Sequence, residues 1–172
     1  MKYLQLFEKF YTPPLYIKKK IDLIVDELLK KYGGGRQFFD ALDDAIKDIT
    51  SIDMIIALVR GNSNEYIVST GEFGDILHRL YLKGKIECKG VVIFNGKINT
   101  LDIGATHFYP EEFDISDKQF IFVDDSLFSG KTYKRIEEFL NKHNSQIKEV
   151  NVIYDGSKEK SKKIKSFFRY YK

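Results

Sequence analysis

The sequence contains a single cysteine and no tryptophan, and the scarcity of cysteine excludes two kinds of structure. Cys88 is the only cysteine among 172 residues, so neither an intrachain disulfide nor a cysteine-built zinc site can form. Tryptophan is absent, so a core must be filled by other large side chains, of which 14 phenylalanines and 11 tyrosines are available. We find no internal repeat and no Pro- or Ser-rich linker, and the length is typical of a single domain.

Long hydrophobic runs are also missing. No apolar stretch approaches the roughly 18–20 residues that a membrane-spanning helix needs. The first residues, Met1 to Gln5, lack the apolar segment and the small-residue cleavage site of a signal peptide. Hydrophobic residues make up 43% of the chain and charged residues 31%, which are ordinary values for a globular protein. We therefore expect a cytoplasmic protein that makes no membrane contact.

The net charge of +3 is distributed unevenly along the chain. Residues 157–172 contain seven basic residues and one acidic residue, which leaves 21 basic and 24 acidic residues in the remainder. Two interpretations of this basic tail stand side by side. The spacing of Ile164, Phe167, Phe168 and Tyr171 predicts a closing helix whose lysines face water. A basic tail is also typical of nucleic-acid binding.

The hydrophobic pattern predicts an α/β domain with a mostly parallel sheet and helices on both faces. Residues 65–69 fit either a short strand or the start of an interrupted helix, and residues 97–118 show no clear period. We expect one domain, with a small N-terminal helical cap at 1–35, a core at 36–155 and a basic C-terminal helix at 156–172. The predicted helices are 17–32, 37–49, 75–82 and 131–142, and the predicted strands are 53–59, 91–94, 120–123 and 150–154.

Residues 120–132 form the most informative stretch of the sequence. Four apolar residues predict a buried strand, and Ser129, Gly130 and Thr132 lie in a short loop before a helix. In open α/β sheets, ligands bind beyond the carboxyl ends of the strands. The first turn of a helix offers unpaired N–H groups and the positive end of its dipole, which suit a phosphate. The sequence therefore predicts a phosphate cradle here.

Two acids, Asp124 and Asp125, come directly before this loop and would repel an anion. We expect them to accept hydrogen bonds from sugar hydroxyls or to hold Mg²⁺ through water. The loop ends like a Walker A motif, but that motif requires glycine at position 125. An acid at that position would lie against a triphosphate, which argues against a nucleoside triphosphatase.

An apolar strand, two acids and then x-x-x-[ST]-G-x-T resembles the phosphoribosyl-pyrophosphate (PRPP) loop of the type I phosphoribosyltransferases. The resemblance implies a phosphoribosyltransferase-like fold, Mg²⁺ as cofactor, PRPP or a nucleoside monophosphate as ligand, and a homodimer as one assembly. It also implies that Asp124 and Asp125 are the catalytic pair that contacts the ribose and the metal. The implied 5′-phosphate loop comprises Ser126, Leu127, Phe128, Ser129, Gly130, Lys131 and Thr132.

The same resemblance implies a pyrophosphate loop upstream, for which the sequence offers two candidates. Arg60 and Gly61 follow the predicted strand 53–59, and we favour them slightly because Arg60 is positively charged. Thr70 and Gly71 are the rival pair, since they open directly onto a predicted helix. The aperiodic segment 97–118 takes the place of the loop that covers the active site in this family.

Phe128 departs from the pattern, because the 6-oxopurine branch of the family has an acid at this position. Phenylalanine cannot take a proton, so it either packs beneath the loop or stacks on a base. Two functions are therefore carried forward. The first is an enzyme that transfers ribose 5-phosphate between PRPP and a nitrogenous base. The second is a non-catalytic module that binds PRPP or a nucleotide and regulates a partner.

Overall fold

A computed structural model describes residues 15–94, 114–157 and 163–169, together with the backbone of 106–109. In these residues, six strands form one sheet and helices pack on both of its faces. The elements in chain order are α1 (Leu15–Tyr32), α2 (Arg36–Ile49), α3 (Ile52–Val59), β1 (Tyr66–Thr70), α4 (Gly71–Leu82), β2 (Gly90–Phe94), β3 (Thr106–Tyr109), β4 (Gln119–Leu127), α5 (Lys131–Lys142), β5 (Gln146–Asp155) and β6 (Ile164–Arg169).

The strands lie in the order β3-β2-β1-β4-β5-β6. Strand β3 is antiparallel to β2, and every other neighbouring pair is parallel. Alternate residues of β4 enter two different core layers: Ile121 and Val123 pack with α2, α3 and α4, whereas Phe120 and Phe122 pack with α5. The predicted fold class, a mostly parallel sheet covered on both faces, is confirmed.

The prediction of a strand at 53–59 is wrong, because these residues belong to helix α3. The Ser51 side chain accepts a hydrogen bond from the Met54 backbone N–H at 3.3 Å and so caps the helix. Periodicity cannot distinguish a short buried strand from a short helix that is buried on most sides. The Asn151 amide of β5 donates to the Leu58 carbonyl at 2.9 Å and ties this helix to the sheet.

The prediction of a C-terminal helix at 156–172 is also wrong. Residues 164–169 form strand β6, which pairs in parallel with β5 and gives partners to backbone groups along the outer edge of β5. Ile164 and Phe168 are buried, and the three residues between them are half-buried. A spacing of four residues is compatible with a helix and with a strand. Residues 158–162 and 170–172 lie outside the described part.

Strand β4 is longer than the sequence suggested. Its pairing with β5 continues through Ser126 and Leu127, so both acids belong to the strand and the loop spans only residues 128–130. The ambiguous segment 65–69 is a strand, and part of 97–118 is strand β3. Helices α1, α2 and α5 are confirmed within two residues of their predicted bounds.

The division into cap, core and tail stays a prediction, and residues 1–14 of the cap lie outside the described part. No helix among the described residues combines the length and apolar composition that crossing a membrane requires.

Candidate functional site

A cleft lies at the point where the order of the parallel strands reverses. Helix α4 joins β1 to β2 on one face of the sheet, and helix α5 joins β4 to β5 on the other. The backbone pairing of β1 with β4 ends at Val68 and Phe122, so the two carboxyl ends separate there, as at ligand sites in open α/β sheets. A cleft of about 390 Å³ opens between them. It is lined by Phe39, Asp40, Asp43, Lys47, Thr70–Phe73, Phe122 and Asp124–Tyr133.

One side of the cleft is built to receive an anion. Gly130 precedes α5 in the left-handed conformation (φ 67°) and has no side chain to cap the helix, while the Ser129 hydroxyl accepts a long hydrogen bond of 3.4 Å from the Lys131 backbone N–H. The first N–H groups of a helix have no partner inside it, and the first turn of α5 contains no acidic residue. Ser129, Lys131 and Thr132 are exposed at this loop. The helix dipole, backbone donors and hydroxyls therefore all favour negative charge here.

We predict that Gly130→Ala lowers the free energy of unfolding by about 1–2 kcal/mol, because alanine is strained in the left-handed region. A Cβ at this position would meet no atom within 4 Å, so the cost is conformational and not steric. Gly130→Asn is the matched control, since asparagine tolerates this conformation better. Urea denaturation of the three proteins measures the difference, and equal losses for both variants would contradict the conformational explanation.

Asp124 and Asp125 also line the cleft and are nearly buried, with 8% of each residue exposed. Asp124 Oδ2 accepts a hydrogen bond from the Thr70 hydroxyl at 2.9 Å, and Asp124 Oδ1 accepts one from the Asp125 backbone N–H at 3.0 Å. Asp125 Oδ1 lies 3.3 Å from the Ser126 hydroxyl oxygen. Successive residues of a strand point to opposite faces of the sheet. The carboxylates of Asp124 and Asp125 nevertheless both line the cleft.

The ionisation of both acids is unfavourable in this position. Burial raises the pKa of Asp124 well above its ordinary value, and the negative charge of Asp125 raises it further. Burial likewise raises the pKa of Asp125 to about 6, with a further increase from Asp43 and an opposing decrease from Lys47. The protein itself stabilises the two carboxylates poorly, so a ligand that brings hydrogen-bond donors or a cation is favoured.

The acid pair fits Mg²⁺ only if the cation keeps other ligands. Carboxylate oxygens are the ligands that Mg²⁺ prefers, and Mg²⁺ usually binds through one or two carboxylates together with water and phosphate oxygens. Asp124 and Asp125 would supply that share of an octahedral site. No group of three His, Cys, Asp or Glu side chains within the described ranges is arranged to hold a metal ion.

Helix α2 contributes residues that the sequence did not reveal. The Ser126 hydroxyl donates to Asp43 Oδ1 at 2.6 Å, and Lys47 Nζ lies 3.0 Å from Asp43 Oδ2. The hydrogen bond with Asp43 raises the pKa of Lys47. Both residues lie about eighty positions before the motif, on the polar side of an amphipathic helix, where no local signal distinguishes them from solvated residues.

Phe128 packs beneath the phosphate loop, and part of its ring also lines the cleft. Its ring centroid is 5.3 Å from that of Phe39 and 5.9 Å from that of Tyr154. A Cβ at Gly156 would lie 3.0 Å from the Phe128 ring, so the chain after β5 approaches it closely. The ring therefore packs against Phe39 and Tyr154 and also lines the cleft, and stacking on a base stays a prediction.

The two candidate pyrophosphate loops lie in different places. Thr70 and Gly71 line the cleft at the carboxyl end of β1. Arg60 and Gly61 line a separate depression together with residues 84–87, which lead into β2. Arg60 follows a helix and not a core strand, so it lies on the way into β1, at the amino end of the sheet. This corrects the expected placement of Arg60 and Gly61 and leaves Thr70 and Gly71 as the pair at the cleft.

The described lysines of the basic tail make contacts within the chain. Lys165 Nζ lies 2.5 Å from Glu149 Oε2, and Lys163 Nζ lies 3.5 Å from the Ile147 carbonyl oxygen. Nucleic-acid binding through the tail stays a hypothesis.

Solved structures with a similar fold are phosphoribosyltransferases. Orotate phosphoribosyltransferase from Francisella tularensis is 14% identical, with a TM-score of 0.47 over 75% of this chain and 67% of that chain. Adenine phosphoribosyltransferase from Thermoanaerobacter pseudethanolicus is 13% identical, with a TM-score of 0.44 over 76% and 81%. Hypoxanthine phosphoribosyltransferase from Staphylococcus aureus is 17% identical, with a TM-score of 0.42 over 89% and 74%.

No protein-family model and no characterised protein sequence matches this chain. The resemblance to the type I phosphoribosyltransferases rests on residues 120–132. At such identities and TM-scores, the neighbours carry no conclusion about activity, which must be argued from the cleft itself.

Proposed function

We propose that this protein is a phosphoribosyltransferase, a glycosyltransferase of nucleotide metabolism that moves ribose 5-phosphate between PRPP and a nitrogenous base. One observation carries the proposal. The N-terminus of α5 and the buried pair Asp124 and Asp125 line one cleft at the carboxyl ends of the strands. A ligand that suits both sides has a phosphate at one end and hydroxyl donors a few ångströms away, as ribose 5-phosphate has.

Each side of the cleft has a separate task in this proposal. The backbone N–H groups around Gly130 and the Thr132 hydroxyl bind the 5′-phosphate. Asp124 and Asp125 accept hydrogen bonds from the ribose hydroxyls, and the Thr70 hydroxyl holds Asp124 in position. The protein contributes mainly positioning, which brings the attacking nitrogen close to C1 of the ribose.

The reaction replaces one bond at C1 with another. The C1–oxygen bond breaks and its electron pair leaves with pyrophosphate, while the nitrogen of the base forms the new bond and loses its proton. Bound Mg²⁺, held by Asp124 and Asp125 through water, would neutralise part of the charge on pyrophosphate. We assign the pyrophosphate to Thr70 and Gly71, because this pair lines the cleft. A cytoplasmic location and a homodimeric assembly are further parts of the proposal.

The direct test measures pyrophosphate release from PRPP and Mg²⁺ in the presence of single free bases. Turnover with one base, and no release without it, would support the transferase. Release without any base would indicate hydrolysis. Binding of PRPP without release for every base tested would support the non-catalytic alternative.

We predict that Thr132→Val weakens the binding of ribose 5-phosphate by about 1.5–3 kcal/mol, because one charge-assisted hydrogen bond to the phosphate is lost. Thr132 is exposed, so the fold should remain intact. Calorimetry measures the affinity, and Thr132→Ser, which keeps the hydroxyl, is the matched control. Unchanged affinity in the valine variant would contradict the assignment of this loop to the phosphate.

The alternative function is a phosphoribosyltransferase-like module that binds PRPP or a nucleotide and regulates a partner. Two observations favour it. Phe128 lies where an acid would handle a proton in the 6-oxopurine branch, and it packs against Phe39 and Tyr154 instead. The Thr70–Phe73 stretch presents Glu72, and not a cation, toward the place of pyrophosphate.

A further inference from the structure

Helix α2 forms one wall of the cleft. The wall joins an aromatic ring to two carboxylates and one lysine on a single helix. Its members that line the cleft are Phe39, Asp40, Asp43 and Lys47. None of the four takes part in the phosphate loop or the acid pair, so the proposed function does not yet use them.

The aromatic part of the wall is uncovered. Phe39 is 40% exposed, although its ring stands 5.3 Å from Phe128 at an interplanar angle of 46°. An exposed phenylalanine at a cleft leaves apolar area in contact with water that a ligand can remove. A planar ring is the ligand shape that gains most from such a surface, because aromatic pairs favour stacked or edge contacts.

Acidic side chains outnumber basic ones along the cleft. Its lining includes five carboxylates, from Asp40, Asp43, Glu72, Asp124 and Asp125, against only two lysines, Lys47 and Lys131. Lys131 belongs to the phosphate loop, and Lys47 is paired with Asp43 at 3.0 Å. Beside helix α2, Asp40 and Asp43 outnumber Lys47, so a carboxylate on the base would be repelled there.

The two carboxylates of the wall differ in how they are engaged. Asp43 accepts from Ser126 and pairs with Lys47. Among the described residues, Asp40 forms a long contact of 3.7 Å with Arg36, and its side chain is 71% exposed. Asp40 is thus available to accept hydrogen bonds from an amino group, and Asp43 adds negative charge beside it.

We propose that the α2 wall selects an acceptor base that is planar and carries an amino group, and that it rejects bases bearing a carboxylate. Phe39 covers the ring of the base, and Asp40 and Asp43 attract the amino group. This inference rests on the proposed function, because a base meets the wall only when ribose 5-phosphate occupies the loop and the acid pair.

Matched nucleotides test the inference by calorimetry, with ribose 5-phosphate as the common reference. AMP should bind roughly tenfold more tightly than IMP, and CMP more tightly than UMP, since each pair exchanges an amino group for an oxo group. Orotidine 5′-monophosphate should bind more weakly than UMP. If ribose 5-phosphate binds but the amino and oxo partners bind equally, the inference is overturned and the proposed function stands. If ribose 5-phosphate does not bind, both are overturned.

Substitutions in the α2 wall test which of its residues produce the preference for bases with an amino group. Asp40→Asn and Asp43→Asn should bring the AMP-to-IMP ratio close to one, and Phe39→Ala should weaken every nucleotide relative to ribose 5-phosphate. Asp44→Asn is the matched control, because Asp44 is an exposed acid of the same helix that does not line the cleft. Thermal melts of all four confirm that the fold is retained. A ratio that stays at its wild-type value in both aspartate variants would overturn the role of the wall.

Discussion

Asp125→Asn should raise the free energy of unfolding of the ligand-free protein by about 3 kcal/mol at pH 8. Burial raises the pKa of Asp125 from 3.8 to about 6, and each unit of difference between folded and unfolded states corresponds to about 1.4 kcal/mol. The folded state binds its proton more tightly, so the carboxyl destabilises the protein once the solution removes that proton. Asparagine keeps the shape of the protonated acid without the charge.

The size of this stability difference depends on pH in a defined way. Below the ordinary pKa of 3.8 the acid is protonated in both states, so the substitution should change little. Between about pH 4 and pH 6 the wild type loses stability relative to the variant, and above that range the difference should be constant. Urea denaturation at several pH values, without added divalent cation, measures it. A difference that does not change with pH would contradict the electrostatic explanation.

Asp125→Asn should also weaken ligand binding. The buried negative charge that destabilises the free protein is the charge that the hydrogen-bond donors of the ligand would neutralise. Ribose 5-phosphate should lose affinity when Asp125 no longer accepts as an anion, whereas inorganic phosphate should bind as well as before or slightly better. Asp44→Asn provides the surface control for both measurements. Equal losses for the two ligands would mean that Asp125 only maintains the shape of the loop.

The sequence was sufficient for the part of the site that is local. Strand β4, the loop and helix α5 follow one another directly in the sequence. The four buried residues, Gly130 and the amphipathic helix therefore all predict the same phosphate cradle. The exact end of β4 was missed, because its last residues pair with β5, a contact that local sequence does not specify. The mostly parallel sheet followed from the alternation of strands and helices.

Long-range parts of the site were not accessible in this way. Asp43 and Lys47 meet the acid pair only because α2 packs beside β4, and nothing near them in the sequence distinguishes them. The error at 53–59 had a further consequence, since it moved the expected pyrophosphate loop to Arg60. The helix there is buried on most sides, so its apolar run has no polar face to reveal its period.

The basic tail shows the same limit at the edge of the sheet. Ile164 and Phe168 fit a helical stripe, but the open edge of β5 offers unpaired N–H and C=O groups that only a strand can match. Backbone pairing therefore decides the structure of a segment whose side-chain spacing allows both forms. The assignment of strand β6 also predicts how much Phe167 and Phe168 each contribute to the free energy of unfolding.

Phe168→Ala should lower the free energy of unfolding by about 3–5 kcal/mol, as is typical when a buried phenylalanine is truncated. Phe168 is only 6% exposed and packs in the core with Tyr154, which is its partner across the strands. Phe167→Ala is the matched control, because Phe167 is only partly buried and should lose about half as much. Urea denaturation with an unchanged m-value measures both losses. In a closing helix both rings would lie in one apolar stripe, so equal losses for the two variants would contradict strand β6 and restore the helix.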